Sequence, residues 1–333
     1  GIGLFIAFLG LQDAKLVIPS ESTGVTLASF NLLGGAGWGA VMPLIVAVFS
    51  LLLIAVLSHK KVKGSILWGI LGGTGLYYIL GFTVKDFYKG FAETLSFNPF
   101  KPFSAFASEA FGKVFTEGFD FSAYLSADGH SVGGLVILFI TTALAFCMVD
   151  MFDTLGTLYG ACRGGNLLVK NDKGELEVPN MDRAMMADAV ATCTGSVLGT
   201  STVTTFVESS AGVAAGGKTG VTSLVTAAAF AVALFFAPIA KLIPPYAYGA
   251  ALIYVGVLMI GSVKDIDWKD VSVSVPAFLT IAMMPFTYNI SYGIAFGLFS
   301  YVIIKAFCGE IKQIKIGTWV VTALFVAMFF LTH

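Results

Sequence analysis

LVILFITTALAFCMVDMFDTLGTLYGA, residues 135–161, is the stretch on which the reading of this chain turns. About fifteen apolar or small residues precede Asp150 and Asp153, and a helix rises about 1.5 Å per residue, so both acids fall near or just beyond the middle of a bilayer. Ionisable groups are costly at that depth. They face a bundle interior or a watery cavity and mark substrate or ion sites. Thr157 follows Asp153 by one helical turn on the same face and adds a hydroxyl able to donate to Asp153 or to a solute.

A second stretch, DAVATCTGSVLGTSTVTTFVESSAGVAAGGKTG at residues 188–220, is apolar but broken by small and hydroxyl residues around Glu208. Residues 200–207 are dominated by β-branched side chains, which favour extended backbone, while Glu208, Ser209, Ser210 and Ala211 read as the start of a short helix with an acid in its first turn. An extended piece joined to a half-helix frees backbone groups to bind a solute inside a membrane. Asp188 reads as a structural acid, tying its helix to the broken segment by bonding exposed backbone amides. Asp150 reads either as a companion of Asp153 or as an acid capped by hydroxyls.

The composition is 57% hydrophobic and 12% charged, with a mean hydropathy of +0.88, which makes the chain an all-α polytopic membrane protein. A net charge of −1 and a pI near 6.3 argue against a nucleic-acid partner, which calls for a basic surface. Cys147, Cys162, Cys193 and Cys308 lack metal-ligand spacing and read as free thiols, so no metal or cofactor is implied. His59 and His130 lie in loops and His333 is terminal. A proton-coupled mechanism would therefore need a carboxylate, with Asp150, Asp153 and Glu208 as candidates. The chain opens inside an apolar run with no Met, and reads as a fragment whose amino-terminal part is missing.

Ten crossings are expected, at residues 1–18, 41–58, 65–84, 135–159, 184–198, 203–213, 221–243, 250–263, 271–288 and 293–307; residues 316–331 form a further apolar run. The cluster His59-Lys60-Lys61-Val62-Lys63 sets the cytoplasmic side, and alternation then brings the other lysine-bearing short loops to it. Residues 19–39 read as a Gly-rich loop. Residues 85–132 read as an extracytoplasmic loop with an interfacial helix near residues 105–119. Runs such as Gly212 to Gly216 and Gly293 to Gly297 read as helix-packing surfaces.

At FDTLGTL (residues 152–158) and GTSTVTTFVESSAGVAAGGKTG (residues 199–220), supported by ALIYVGVLMIGS (251–262) and SVPAFLTIAMMPFTYNISYGIAFG (274–297), the sequence resembles the AzgA-like purine permeases. These are the guanine, hypoxanthine and adenine branch of the nucleobase:cation symporters related to xanthine and uracil permeases. The resemblance implies a fold of two inverted repeats of seven segments, of which this chain is similar to segments five to fourteen, the first four being absent. It implies gate helices at residues 1–84 and 244–333, and a mobile core with the substrate site at residues 133–243. By resemblance, Asp153 and Glu208 take the positions of the two substrate-binding acids, and Phe206 and Val207 bring backbone groups to the base beside Ser209. Thr157 stands where uracil permeases carry a histidine, so no role of that ring carries over.

The expectation is therefore a cell-membrane importer of purine nucleobases, not an enzyme, driven by H⁺ or Na⁺ through alternating access, with a homodimer possible. A carboxylate suits a planar solute with adjacent N–H donors, such as guanine. Two alternatives stand beside it. A sulfate-permease type of anion carrier would need a neutral or cationic site, whereas these spans hold buried acids. An intramembrane aspartyl protease would need a Gly-x-Gly-Asp element, which the chain lacks.

Overall fold

The computed structural model describes residues 1–31, 37–84, 87–88, 103–104, 106–126, 131–171, 174, 176–236 and 240–332. Along the chain run α1 (Ile2–Asp13), β1 (Val17–Ser20), β2 (Gly24–Leu27), α2 (Trp38–His59), α3 (Ser65–Gly81), α4 (Lys113–Thr116), α5 (Ser122–Leu125) and α6 (Val132–Gly164). There follow β3 (Val169–Lys170), β4 (Leu176–Glu177), α7 (Met181–Leu198), α8 (Ser209–Ala214), α9 (Gly220–Phe235), α10 (Pro245–Met259), α11 (Val271–Thr287), α12 (Ile290–Phe307) and α13 (Ile316–Thr332).

Each expected crossing carries a helix, and among the described residues four helices are both long and apolar enough to cross a membrane: α2, α6, Pro245–Asp265 and α12. Two expectations need correction. The first helix stops at Asp13, and Val17 to Ser20 instead pairs antiparallel with Gly24 to Leu27, so the expected first span is cut short and the expected loop holds a hairpin. The expected interfacial helix falls instead on short helical turns at Phe106–Ala110 and Lys113–Thr116, with residue 105 outside the described residues. Residues 316–331 do form one helix.

Two compact units divide the chain. The first comprises Gly1–Phe5, Ser108–Val207 and Gly261–His333. Its core is a cluster of Met148 on α6, Ala295 on α12 and Phe325 on α13. Helices α11 and α12 form a hairpin turned at Tyr288, which adopts φ 54°. Glycine allows their close approach: a Cβ at Gly293 would sit 2.3 Å from Met284 Cγ, and one at Gly297 1.9 Å from Thr280 Oγ1. Asp270 caps α11 by accepting from the Ser272 amide at 2.8 Å, and bonds from Ser272 hold its carboxyl below the ordinary value. Ser131 and Asn289 cap α6 and α12 in the same way.

The second unit comprises Ile6–Ala107 and Glu208–Ile260. Here α2, α3 and α10 pack around Ile54, Ala250 and Ala251. Small residues set the spacing, since a Cβ at Gly69 would meet Ile54 Cγ1 at 2.0 Å and one at Gly73 would meet Ser50 Oγ at 1.8 Å. Gly10 on α1 and Gly249 on α10 cross as closely, a Cβ at Gly10 standing 2.6 Å from the Gly249 carbonyl. The expected packing surface at Gly212 and Gly216 has no neighbour among the described residues, since none lies within 4 Å of a Cβ at either.

Gly73→Val therefore should cost about 1–3 kcal/mol by overpacking the α2–α3 crossing. Gly75→Ala, on the same helix but facing open space, should be neutral or slightly stabilising. Thermal unfolding of the two variants in detergent checks this, and equal midpoints would contradict the close crossing.

Candidate functional site

Residues 199–208 leave the helical path between α7 and α8, and three positions of α7 hold them. Asp188, Thr192 and Gly195 are spaced i, i+4, i+7 and share one helix face. Asp188, only 8% exposed, accepts at Oδ1 from Thr205 Oγ1 and at Oδ2 from Thr154 Oγ1, both at 2.8 Å. Thr192 Oγ1 donates to the Val203 carbonyl at 3.0 Å. Gly195 lets the segment pass directly over the helix, because a Cβ there would sit 2.5 Å from Val203 Cγ2.

Helix α6 supplies the other side. Thr154 Oγ1 lies 3.1 Å from Thr204 Oγ1, and since Thr154 gives its proton to Asp188, Thr204 is the donor of that pair. The hydroxyls thus run Thr204 to Thr154 to Asp188, and Thr205 enters the same carboxylate. Asp150, one turn before Thr154, meets Thr202 Oγ1 at a longer 3.5 Å. This corrects the sequence reading in one respect: Asp188 does tie its helix to the broken segment, but through threonine hydroxyls rather than backbone amides.

Asp153 is half-buried on α6 beside Thr154. Thr157 is fully buried, and among the described residues its Oγ1 has no hydrogen-bond partner. An unpartnered hydroxyl in a dry interior is costly. Phe206 is 52% exposed while the Val207 side chain is buried. In the first unit the structure therefore gathers Asp150, Thr154 and Asp188 around residues 202–205, with Asp153 and Thr157 on the same α6 helix.

Glu208 and Ser209 belong to the second unit. Glu208 opens α8 and lines a cavity of about 550 Å³ whose walls come from the start of α3, from Ala211 and Gly212 on α8, and from Tyr248 and Leu252 on α10. Gly212 thus contributes room to a cavity rather than a helix contact. The surround is apolar except for Ser65, the Tyr248 phenol and the carboxylate, a composition that suits a flat, partly polar small molecule. Sequence reasoning missed Tyr248 and Ser210. Ser210 is buried, with an unpartnered Oγ among the described residues, and the Glu-Ser-Ser run was its only signal. Tyr248 carried none, since the tyrosines of an apolar helix look alike until packing singles one out.

The chain matches the family model described as Permease family (Xan_ur_permease) over residues 1–296. A "Putative permease" of Methanocaldococcus jannaschii is 39% identical over 330 residues, covering 99% of this chain and 66% of that protein. "Adenine permease AdeQ" of Escherichia coli is 32% identical, covering 98% and 64%. "Guanine/hypoxanthine permease PbuO" of Bacillus subtilis is 37% identical, covering 99% and 68%. The chain spans about two thirds of the length of these curated relatives.

Asp188→Ala should leave the hydroxyls of Thr154 and Thr205 without their acceptor and lower stability by about 2–4 kcal/mol. Asp188→Asn keeps one acceptor oxygen and should cost roughly half as much. Unfolding midpoints followed by tryptophan fluorescence test this, and two variants that unfold like the parent would remove the network as a fastening.

Proposed function

Because this chain belongs to the Permease family and, among the described residues, has four helices long and apolar enough to cross a membrane, we propose that it carries the substrate-binding segments of a transporter for purine nucleobases, taken up by proton symport and alternating access. The observation that carries the reading is Glu208, a carboxylate set in the wall of a largely apolar cavity of about 550 Å³. A carboxylate accepts two hydrogen bonds side by side, which matches the N1–H and exocyclic amine of guanine, and the Tyr248 ring offers a face for a flat base.

Asp153 is the second acid assigned to the base, on the strength of its motif, with Thr157 supplying a hydroxyl one turn further along α6. Phe206, Val207 and Ser209 flank Glu208 and offer backbone groups where the helix is interrupted. Asp150 remains a candidate in the proton path beside Asp153 and Glu208. Relatives named adenine permease and guanine/hypoxanthine permease support purines as the substrate class.

Uptake of [³H]guanine, [³H]hypoxanthine and [³H]adenine by cells lacking purine uptake of their own tests the reading. Glu208→Gln should reduce uptake of the preferred base about 10- to 100-fold, the weight of hydrogen bonds to a charged group of about 1.5–3 kcal/mol. Uptake should rise as the outside is made more acidic and fall with a protonophore. Undiminished uptake by Glu208→Gln removes that residue from the mechanism, and dependence on Na⁺ in place of the pH gradient replaces the coupling ion.

A further inference from the structure

Helices α2 and α3 close with a tight turn that carries a dense positive charge. The last residue of α2 is His59, and Lys60, Lys61 and Lys63 follow, with no acid from Ser58 to Ser65. The Lys61 amide donates to the Ser58 carbonyl at 2.9 Å and the Val62 amide to the Leu57 carbonyl at 3.0 Å, the bonding pattern that ends a helix with a left-handed residue. That residue is Lys61, at φ 56°, where glycine is the usual choice. The turn folds Val62 back toward Leu57 and leaves the lysines exposed. Among the described residues no ion pair engages Lys60, Lys61 or Lys63.

Immediately beside this turn lies an apolar groove of about 580 Å³, formed by Leu53, Leu57, Val62, Trp68, Leu71 and Gly72. It exists because Gly72 brings α3 close to α2, a Cβ there standing 2.6 Å from Leu53 Cδ2. Trp68 remains 56% exposed at its rim. Val62 joins the two features, as it lines the groove and sits between Lys61 and Lys63 in sequence.

We propose that the groove and the adjoining turn form a binding site for an anionic phospholipid, with an acyl chain along Leu53, Leu57, Val62 and Leu71 and the headgroup phosphate held by Lys60, Lys61 and Lys63. In a bilayer an acyl chain already surrounds such a groove, so the selective element is charge. The lysine excess marks this turn as cytoplasmic, the side where anionic lipids attract basic segments. The indole of Trp68, which prefers the membrane–water boundary, sits between chain and headgroup. This site does not depend on what the protein transports.

The full chain reconstituted in phosphatidylcholine vesicles, with part of the lipid replaced by dibrominated phosphatidylglycerol or dibrominated phosphatidylcholine, tests the proposal. Bromine quenches tryptophan fluorescence only at contact, and the signal lost in Trp68→Phe identifies the contribution of Trp68. Quenching of Trp68 by the brominated anionic lipid should report a local enrichment on the order of fivefold over the zwitterionic one. That preference should fall to about one in the Lys60→Gln, Lys61→Gln, Lys63→Gln triple variant, whose exposed substitutions leave the helices intact. Equal quenching by the two lipids, a preference that survives the triple variant, or one that survives Trp68→Phe would each overturn the site.

Discussion

Inside hydrocarbon, backbone amide and carbonyl groups have no water to bond, so a chain that leaves the helix there must find other partners for them. Residues 199–208 do leave it, and much of the first unit is arranged to make that tolerable. Asp188 stands at the centre, taking one hydroxyl from α6 and one from the non-helical segment, while Thr192 caps the Val203 carbonyl. Threonine serves twice here. Its branched Cβ disfavours helix, and its hydroxyls fasten the non-helical run to the helices on either side.

The result of that arrangement is a short helix that begins at Ser209, directly after Glu208. Glu208 opens α8 because the chain resumes helical form only after the threonine run. Its carboxylate then enters a cavity bounded by α3 and α10 instead of lying buried in a continuous helix, where an acid would have no use. Loss of regular structure and placement of Glu208 are one feature seen from two sides. The glycines at Gly69, Gly72 and Gly73 support the cavity from the far wall by setting the α2–α3 spacing.

Much of this was legible before any coordinates. The apolar runs gave the helices, the β-branched run at residues 200–207 gave the break, and the depth of Asp153 and Glu208 gave the candidate acids. The i, i+4, i+7 spacing of Asp188, Thr192 and Gly195 was also present in the sequence, but period alone does not say which partner a face meets, and the expected partners of Asp188 were backbone amides. The hairpin at Val17–Ser20 was hidden because its residues are apolar enough to extend a span, and only the pairing with Gly24–Leu27 decides otherwise. Gly212 misled for a related reason: a small residue in a membrane segment admits either a helix or a ligand, and sequence does not distinguish them.

The central claim is that residues 199–208 are a fastened element presenting Glu208 to a purine, not a loose connection. Hydrogen–deuterium exchange of the peptides covering residues 199–215, in detergent with and without saturating hypoxanthine, tests it most directly. The account predicts amides that exchange nearly as slowly as those of α7, and slower still with the base bound. Rapid exchange characteristic of an open loop, unchanged by hypoxanthine, would contradict it.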